Sequence, residues 1–548
     1  MDTEIRDTIP QPNPNKLRTG ISIDRSNKTA TDIENAMREN GGKIPYSQLM
    51  DISLFGPEGY YSTGKAKING EKKEQDFETY TAHESFNQTV GNSLLKVWES
   101  MDQPEKFDIV EQGAGMGIMA KDMLVWAREN HPTFYNALNY IIVEPGDLIQ
   151  QQKETIGKDV RPGIKRARQL TPDENAKDLE KVRWIQGSAS QLPLKDESIE
   201  GVFLSNELPD AFPVEIAKKI NGAVKQKYVT LENDEWVEVW DEPTADVQRY
   251  IEEYGIDFID NGGEEAINLN AEKWQKGIDR ALKRGAIITI DYGQNGTRNN
   301  TKDIRATRTY PPMEGVPRKE ADRDPERYDY TTYTLKYGKA QVTPKYSEYR
   351  DPGNFDMTSD INFAVHEHIA HEDGLSLSFT GSQQEFLLSN GVGEFLPIKK
   401  IRETRSLNEL GGLLRQLKEE FLSLKNGKNF YAQVLTKGID LTFDPHPEYP
   451  TVDAMRNTGF KLEIGKPNTP LTIERISYGQ ESKTYTTGAT GTLPFFEAGV
   501  DPEEFFFPYS PQLRYVIRAG EEIILDTRDK DTLKNIVERS GYQYDLAA

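Results

Sequence analysis

Apolar residues fall in short unbroken blocks through the middle of the chain: FDIV (107–110), YIIVE (140–144), VRWIQ (182–186), GVFLSN (201–206) and AIITIDY (286–292). Blocks of this length, bounded by turn residues and separated by helical or long polar stretches, predict strands of a parallel sheet with helices on both faces. Helical spacing marks IPYSQLMDISLF (44–55), ESFNQTVGNSLLKVWESM (84–101), MAKDMLVWAREN (119–130), VQRYIEEYGIDFI (247–259), AEKWQKGIDRALKR (271–284), DINFAVHEHIAHEDG (360–374) and SLNELGGLLRQLKEEFLSL (406–424). LSLSFTG (375–381) and NFYAQVLTKG (429–438) predict two further strands.

The pattern weakens in three places. Residues 1–40, with Pro10, Pro12 and Pro14, read as a flexible tail running into a short amphipathic segment. A main domain spans 41–440, opening on a lead-in segment and carrying an insertion at about 296–352. Past 441, Pro-spaced short strands, RYVIRAGEEIILDT (514–527) and a helical stretch near 531–540 predict a small α+β appendage, 441–548.

Composition narrows the function classes. At 548 residues the chain is long enough for two to four domains. Its net charge of −22 argues against a general phosphate-backbone binder. The absence of cysteine excludes disulfides, thiolate metal sites and cysteine nucleophiles. No stretch approaches a membrane span and the N-terminus lacks an apolar signal core, so a cytoplasmic protein is the expectation.

The chemistry concentrates at the predicted strand ends. In FDIVEQGAGMG, Gly113, Gly115 and Gly117 follow a strand and precede a helix, where glycines let a ligand approach the backbone. The spacing is GxGxG, and Ile118 stands where a nicotinamide or flavin fingerprint wants glycine. S-adenosylmethionine (SAM) fits better, with Glu111 beside the turn to meet the ammonium of its methionine moiety. Glu144 ends the next strand, where a carboxylate accepts ribose hydroxyls. Ser188 and Ala189 follow the third strand and would lie beside an adenine, with Leu192 covering it. After the fourth strand, Asn206, Glu207 and Asp210 lie within one turn; their carboxylates could clamp a guanidinium or ammonium and aim its nitrogen at the sulfonium methyl, or simply cap a turn and pair with a lysine.

Taken together, residues from about 41 to 438 resemble the MidA-type SAM-dependent methyltransferases, bacterial relatives of the mitochondrial complex I assembly-factor arginine methyltransferase. The likeness is carried by SLFGPEGYY (53–61), DFETYTAHESF (76–86), EQGAGMG (111–117), SNELPDAFPV (205–214), IDYG (290–293), DPGNFDMTSDINF (351–363) and GSQQEFLLSNG (381–391), in that order. It implies an α/β, Rossmann-like class I SAM-binding fold and methyl transfer to an arginine nitrogen of a protein substrate. By position, Gly113, Gly115, Glu144 and the Ser188 region hold the cofactor, while Asn206, Glu207 and Asp210 face the acceptor. The chain departs from the family pattern where Asp360-Ile361-Asn362 replaces a His-Val-Asp core, in the length of the insertion and in the added appendage. A SAM-binding scaffold that assists assembly of a partner complex, or a methyltransferase acting on nucleic acid or a small molecule, are the alternatives.

Two weaker signals remain. His366, His368 and His371 lie in HEHIAHE, but on a helix His366 is about 200° from His368, so the three cannot share one ion; a solvated face is expected and no metal site. Between Arg298 and Arg350, twelve Lys/Arg against eight Asp/Glu and seven tyrosines suit an arm embracing a protein substrate better than nucleic acid contacts.

Overall fold

In a computed structural model of the chain, residues 13–62, 79–258, 263–294, 346–395 and 430–443 are described, apart from 147, 160–169 and 189–191, together with the backbone of strands within 305–344 and 462–527. The chain divides into two compact units, Met1–Phe386 with Gly427–Pro445, and Leu387–Asn426 with His446–Ala548. This division differs from the expected boundary at 441 by assigning 387–426 to the second unit. In that unit Lys483–Thr486, Leu471–Ser477, Leu513–Ala519 and Glu522–Thr527 form, in this order, a four-stranded antiparallel sheet. The helices expected at 406–424 and near 531–540 lie outside the described residues.

The first unit is built on a central sheet of seven strands: β1 (Phe107–Gln112), β2 (Leu138–Glu144), β3 (Val182–Gln186), β4 (Ile199–Asn206), β5 (Leu282–Gln294), β6 (Ser376–Ser382) and β7 (Phe430–Lys437). A short strand, Ile361–Asn362, adds to the end of β5. The order across the sheet is β3-β2-β1-β4-β5-β7-β6, with β7 antiparallel to its neighbours and the others parallel. All five apolar blocks became parallel strands. Every residue of β1 is buried, as a strand covered on both faces requires. Four helices flank the site: α1 (Ile118–Asn130), α2 (Ile149–Lys158), α3 (Leu269–Ala281) and α4 (Phe363–Glu372).

A second, antiparallel sheet was missed. Its strands run in the order Lys16–Ser22, Glu235–Asp241, Ala223–Glu232, Glu215–Ile220, Glu264–Ile267, and Lys43–Pro45 also pairs with Ala223–Glu232. The signal was present. Asn221-Gly222 and Asn233-Asp234 each close a two-residue hairpin with both residues at positive φ, the turn whose twist suits antiparallel strands.

Residues 1–40 are corrected by this sheet. Lys16–Ser22 is a strand and Lys28–Glu39 a helix, and only 1–12 lie outside the described residues. Ile21, Ile33 and Met37 bury against Val229 and Trp236, so the segment is held by an apolar core rather than trailing in solvent. The same core takes in Leu49, Met50 and Tyr60 from the lead-in segment.

Asp108, Gly201 and Gly285 sit side by side on β1, β4 and β5. Both glycines have positive φ, +151° and +134°. A Cβ on Gly201 would lie 1.9 Å from the Asp108 carbonyl oxygen, and one on Gly285 1.8 Å from that of Gly201. Gly201→Ala is therefore expected to destabilise the first unit by about 3 kcal/mol or more, read as a lowered thermal midpoint.

Candidate functional site

The strand order reverses between β1 and β4, and their C-terminal ends open a crevice of the kind in which open α/β sheets bind ligands. Gly113, Gly115 and Gly117 form the turn from β1 into α1, at φ +73°, +49° and +75°. A Cβ on Gly113 would lie 3.1 Å from the Leu208 side chain, so this turn rests on the loop after β4. At Gly115 a Cβ would meet nothing within 4 Å. The turn is thus an open cradle where a ligand chain can lie against backbone.

Gln152, on α2, ties the cradle to its surroundings and was not picked out by sequence. Its Nε2 donates to the Gly115 carbonyl and to Glu144 Oε2, both at 2.9 Å, and its Oε1 accepts from Trp184 Nε1 at 2.9 Å. One buried amide therefore joins the glycine turn, the tip of β2 and β3. Nothing in the run Gln150-Gln151-Gln152 distinguishes it, because only the helix's placement selects which glutamine faces inward. Glu144 is also close to the Gly146 amide, which donates to its Oε1 at 3.4 Å.

These residues fit SAM: an open glycine turn for the methionine chain and a braced strand-tip carboxylate for the ribose. Ser188 follows β3, partly exposed, and Ala189 lies outside the described residues. Glu111 differs from the expectation that it meets the cofactor ammonium. Its carboxylate is buried and accepts the Tyr140 hydroxyl at 2.8 Å, and burial raises its pKa to about 7. It braces β1 against β2.

Across the crevice, β4 ends on Asn206 and the loop after it carries Glu207 and Asp210. Asn206 Nδ2 donates to Glu207 Oε1 at 3.2 Å, and the Tyr80 amide reaches the same oxygen at 3.4 Å. Glu207 has φ +50°, a left-handed conformation unusual for a long side chain, held by its amide donating to the Ile290 carbonyl at 2.9 Å. Asp291, fully buried on β5, accepts the Asp210 amide at 3.1 Å and the Tyr292 amide at 2.7 Å. Asp291 thereby fixes the loop that bears Asp210.

Asp356 completes the group. It is buried on the strand Phe355–Thr358 and accepts the Tyr61 hydroxyl at 2.8 Å. Burial raises Glu207 to about 7, against the hydrogen bonds from Asn206 and Tyr80 and with a push from Asp356. Asp210 and Asp291 are driven well above the usual carboxylate range, first by burial and then by each other's neighbourhood: Asp356 and Glu207 act on Asp210, and Asp210 and Glu207 on Asp291. Aromatic rings line the same end: Tyr80 meets Phe430 edge-on at 4.7 Å, and Phe430 lies 3.9 Å from Tyr292. Sequence placed Asp291, Asp356 and Tyr61 in segments of interest without a role for any of them.

The histidine reading is corrected in part. His368 and His371 are exposed, but His366 is buried between Trp274 and Phe363, and burial lowers its pKa to about 4. Among the described residues no group of His, Asp or Glu is arranged to hold a metal ion, and no helix is long and apolar enough to cross a membrane.

Two measurements check this geometry. Gln152→Leu removes both donor bonds from the cradle and should weaken binding of S-adenosylhomocysteine by about tenfold or more in calorimetry, with the fold retained. Glu111, whose folded pKa is raised, contributes stability that is fully present below about 4.5 and lost as pH rises through about 7. The thermal midpoint should fall across that window, and Glu111→Gln should flatten the fall.

A family model described as "Putative S-adenosyl-L-methionine-dependent methyltransferase" matches residues 89–381, more than half of the chain. Among solved structures, a COG1565 superfamily member from Burkholderia thailandensis bound to S-adenosyl-homocysteine is 22% identical with a TM-score of 0.57, covering 77% of this chain and 95% of that one. A native crystal structure of a COG1565 superfamily protein from the same organism is 21% identical with a TM-score of 0.55, covering 76% and 93%. At these identities the likeness shows the fold. The chain therefore belongs to the MidA-like family of class I SAM-dependent methyltransferases, and SAM is its cofactor.

Proposed function

We propose that this methyltransferase transfers its methyl group to an arginine nitrogen of a protein substrate. The observation that carries the reading is the character of the acceptor side of the crevice: Glu207, Asp210 and Asp356 present carboxylates, and Asn206 Oδ1 is a buried oxygen with no partner. Beyond burial, Asp356 acts on Glu207 after the hydrogen bonds from Asn206 and Tyr80, and Asp356 and Glu207 act on Asp210, so carboxyl groups cluster on this wall. A guanidinium is the complement, with five N–H donors in one plane and a permanent positive charge. The aromatic rings of Tyr80, Phe430 and Tyr292 favour a flat cation too. The resemblance to the complex I assembly-factor arginine methyltransferase points the same way and suggests a substrate met during assembly of a larger complex.

In this reading Gly113, Gly115, Gly117, Glu144 and the Ser188–Ala189 segment hold the cofactor, with Glu111 bracing them from behind. Bound SAM supplies a sulfonium methyl: its carbon–sulfur bond breaks as the carbon–nitrogen bond forms, the electron pair stays on sulfur, and the acceptor nitrogen gives up a proton. The protein's part is alignment and charge. Glu207 and Asp210 fork the guanidinium, whose arrival returns these raised carboxyls to their charged forms. Because a guanidinium has a pKa above 12, the proton leaves only as the new bond forms, and Glu207, close to neutrality, is the group to take it. Asn206 steadies Glu207, and Asp291 holds the Asp210 backbone in register.

The basic, tyrosine-rich content of the 296–352 insertion was read as an arm for a protein substrate; its side chains up to 345 lie outside the described residues.

Incubation with labelled SAM and a cell extract, followed by hydrolysis and amino-acid analysis, tests the reading. Label in methylarginine is expected; label confined to lysine, nucleic acid or a small molecule, or no transfer, would overturn it. The rate should rise with pH through about 7 and then level as Glu207 ionises, and Glu207→Gln should remove this limb and slow transfer by about 100-fold.

A further inference from the structure

Helix α3 engages both halves of the crevice. Ala271, Trp274, Ile278 and Ala281 recur at helical spacing and bury in one core with Val110 of β1 and Phe203 of β4. At the start of the helix, Asn268 Nδ2 donates to the Pro209 carbonyl at 3.4 Å and Asn270 Nδ2 to the Pro213 carbonyl at 2.7 Å. The loop after β4 is thus gripped on either side of Asp210. One turn further on, the Trp274 ring meets Phe212 of the same loop edge-on at 5.9 Å, and its Nε1 donates to Gln112 Oε1 at 2.8 Å. Gln112 is the last residue of β1, and Gly113 follows it directly.

Gln112 is an unfavourable filling for that core. It is 3% exposed, and because an indole N–H can only donate, Trp274 takes the amide oxygen. Gln112 Nε2 is left buried without a partner, and so is Oγ of Ser205, the residue paired with Gln112 on β4. A leucine would fill similar space and strand no donor. What the amide adds is direction, since a hydrogen bond ties the end of β1 to one point on α3 and apolar packing does not.

We propose that Trp274 is a positioning residue whose hydrogen bond to Gln112 couples the glycine turn to the loop bearing Glu207 and Asp210, so that cofactor binding orders the acceptor side. The inference rests on SAM as cofactor and not on arginine as acceptor. An occupied cradle restricts the glycine turn; Gln112 passes the restriction to Trp274, and Asn268, Asn270 and Phe212 carry it into the loop. The contact between Gly113 and Leu208 reaches the start of the loop, whereas α3 engages it from Pro209 to Pro213. An acceptor that meets an already ordered loop loses less conformational freedom on binding, which is positive coupling between the two substrates.

Amide hydrogen exchange followed by mass spectrometry on the full-length protein, with and without S-adenosylhomocysteine, tests the coupling without any acceptor. In the wild type S-adenosylhomocysteine should slow exchange by about tenfold both in peptides covering 112–118 and in those covering 209–214. Trp274→Phe keeps a flat apolar ring but strands Gln112 Oε1, so it should lower the thermal midpoint and lose the slowing at 209–214 while keeping it at 112–118. Adding Gln112→Leu removes the stranded oxygen and should raise the midpoint again without restoring the slowing at 209–214. A merely structural role predicts the opposite, that both return together, and that result overturns the proposal. Equal slowing at 209–214 in Trp274→Phe and the wild type, or none in the wild type, overturns it as well. Should the core variants fail to fold, Asn270→Ala decides, because that side chain is half-buried. Weakened slowing at 209–214 with S-adenosylhomocysteine affinity within about twofold supports the bridge through α3, and unchanged slowing counts against it. Methyl label found outside arginine would sink the arginine reading and leave this coupling standing.

Discussion

The contact on which the site depends is the one between Gly113 and Leu208. There the turn that follows β1 and the loop that follows β4 touch, so closely that a Cβ on Gly113 would lie 3.1 Å from the Leu208 side chain. These strands lie on either side of the point where the sheet's order reverses, and this contact joins the loops that follow them. A glycine at positive φ admits the approach. The consequence is that the glycine turn after β1 and the carboxylates of the loop after β4 share one wall of the crevice.

Concentrating buried carboxylates in one place is unfavourable unless something compensates, and their raised pKa values express that tension. Two kinds of compensation act in the protein. Backbone amides of Asp210 and Tyr292 satisfy Asp291, and the Tyr61 hydroxyl engages Asp356. Such a site is poised by its own instability, and the left-handed backbone at Glu207 stores strain at the same point.

The antiparallel sheet and the N-terminal helix matter to function through rigidity. Tyr61 and the segment bearing Asp356 are both anchored in or against that layer, through the burial of Tyr60 and the Asn27 bonds to the DPGN turn. Residues far outside the central sheet therefore set the position of Tyr61 and Asp356. This division of labour lets one scaffold for the methyl donor be paired with a separately built recognition surface.

Much of the central sheet could be read directly from the chain, since five apolar blocks with a glycine turn after the first admit few arrangements, and Gly113 and Gly115 follow β1, Glu144 ends β2, and Glu207 and Asp210 follow β4. Local pattern also encodes the hairpins of the antiparallel sheet at Asn221-Gly222 and Asn233-Asp234. What only the folded chain decided was which side chains turn inward and what meets across it. Gln152 is chosen among three consecutive glutamines by the seat of its helix, Glu111 is claimed by Tyr140 across the sheet, and Asp356 meets Tyr61 through segments that sequence leaves unrelated. Periodicity reports how each stretch partitions between water and a core, one residue at a time. Hydrogen bonds between distant segments depend on positions that exist only after packing has fixed them.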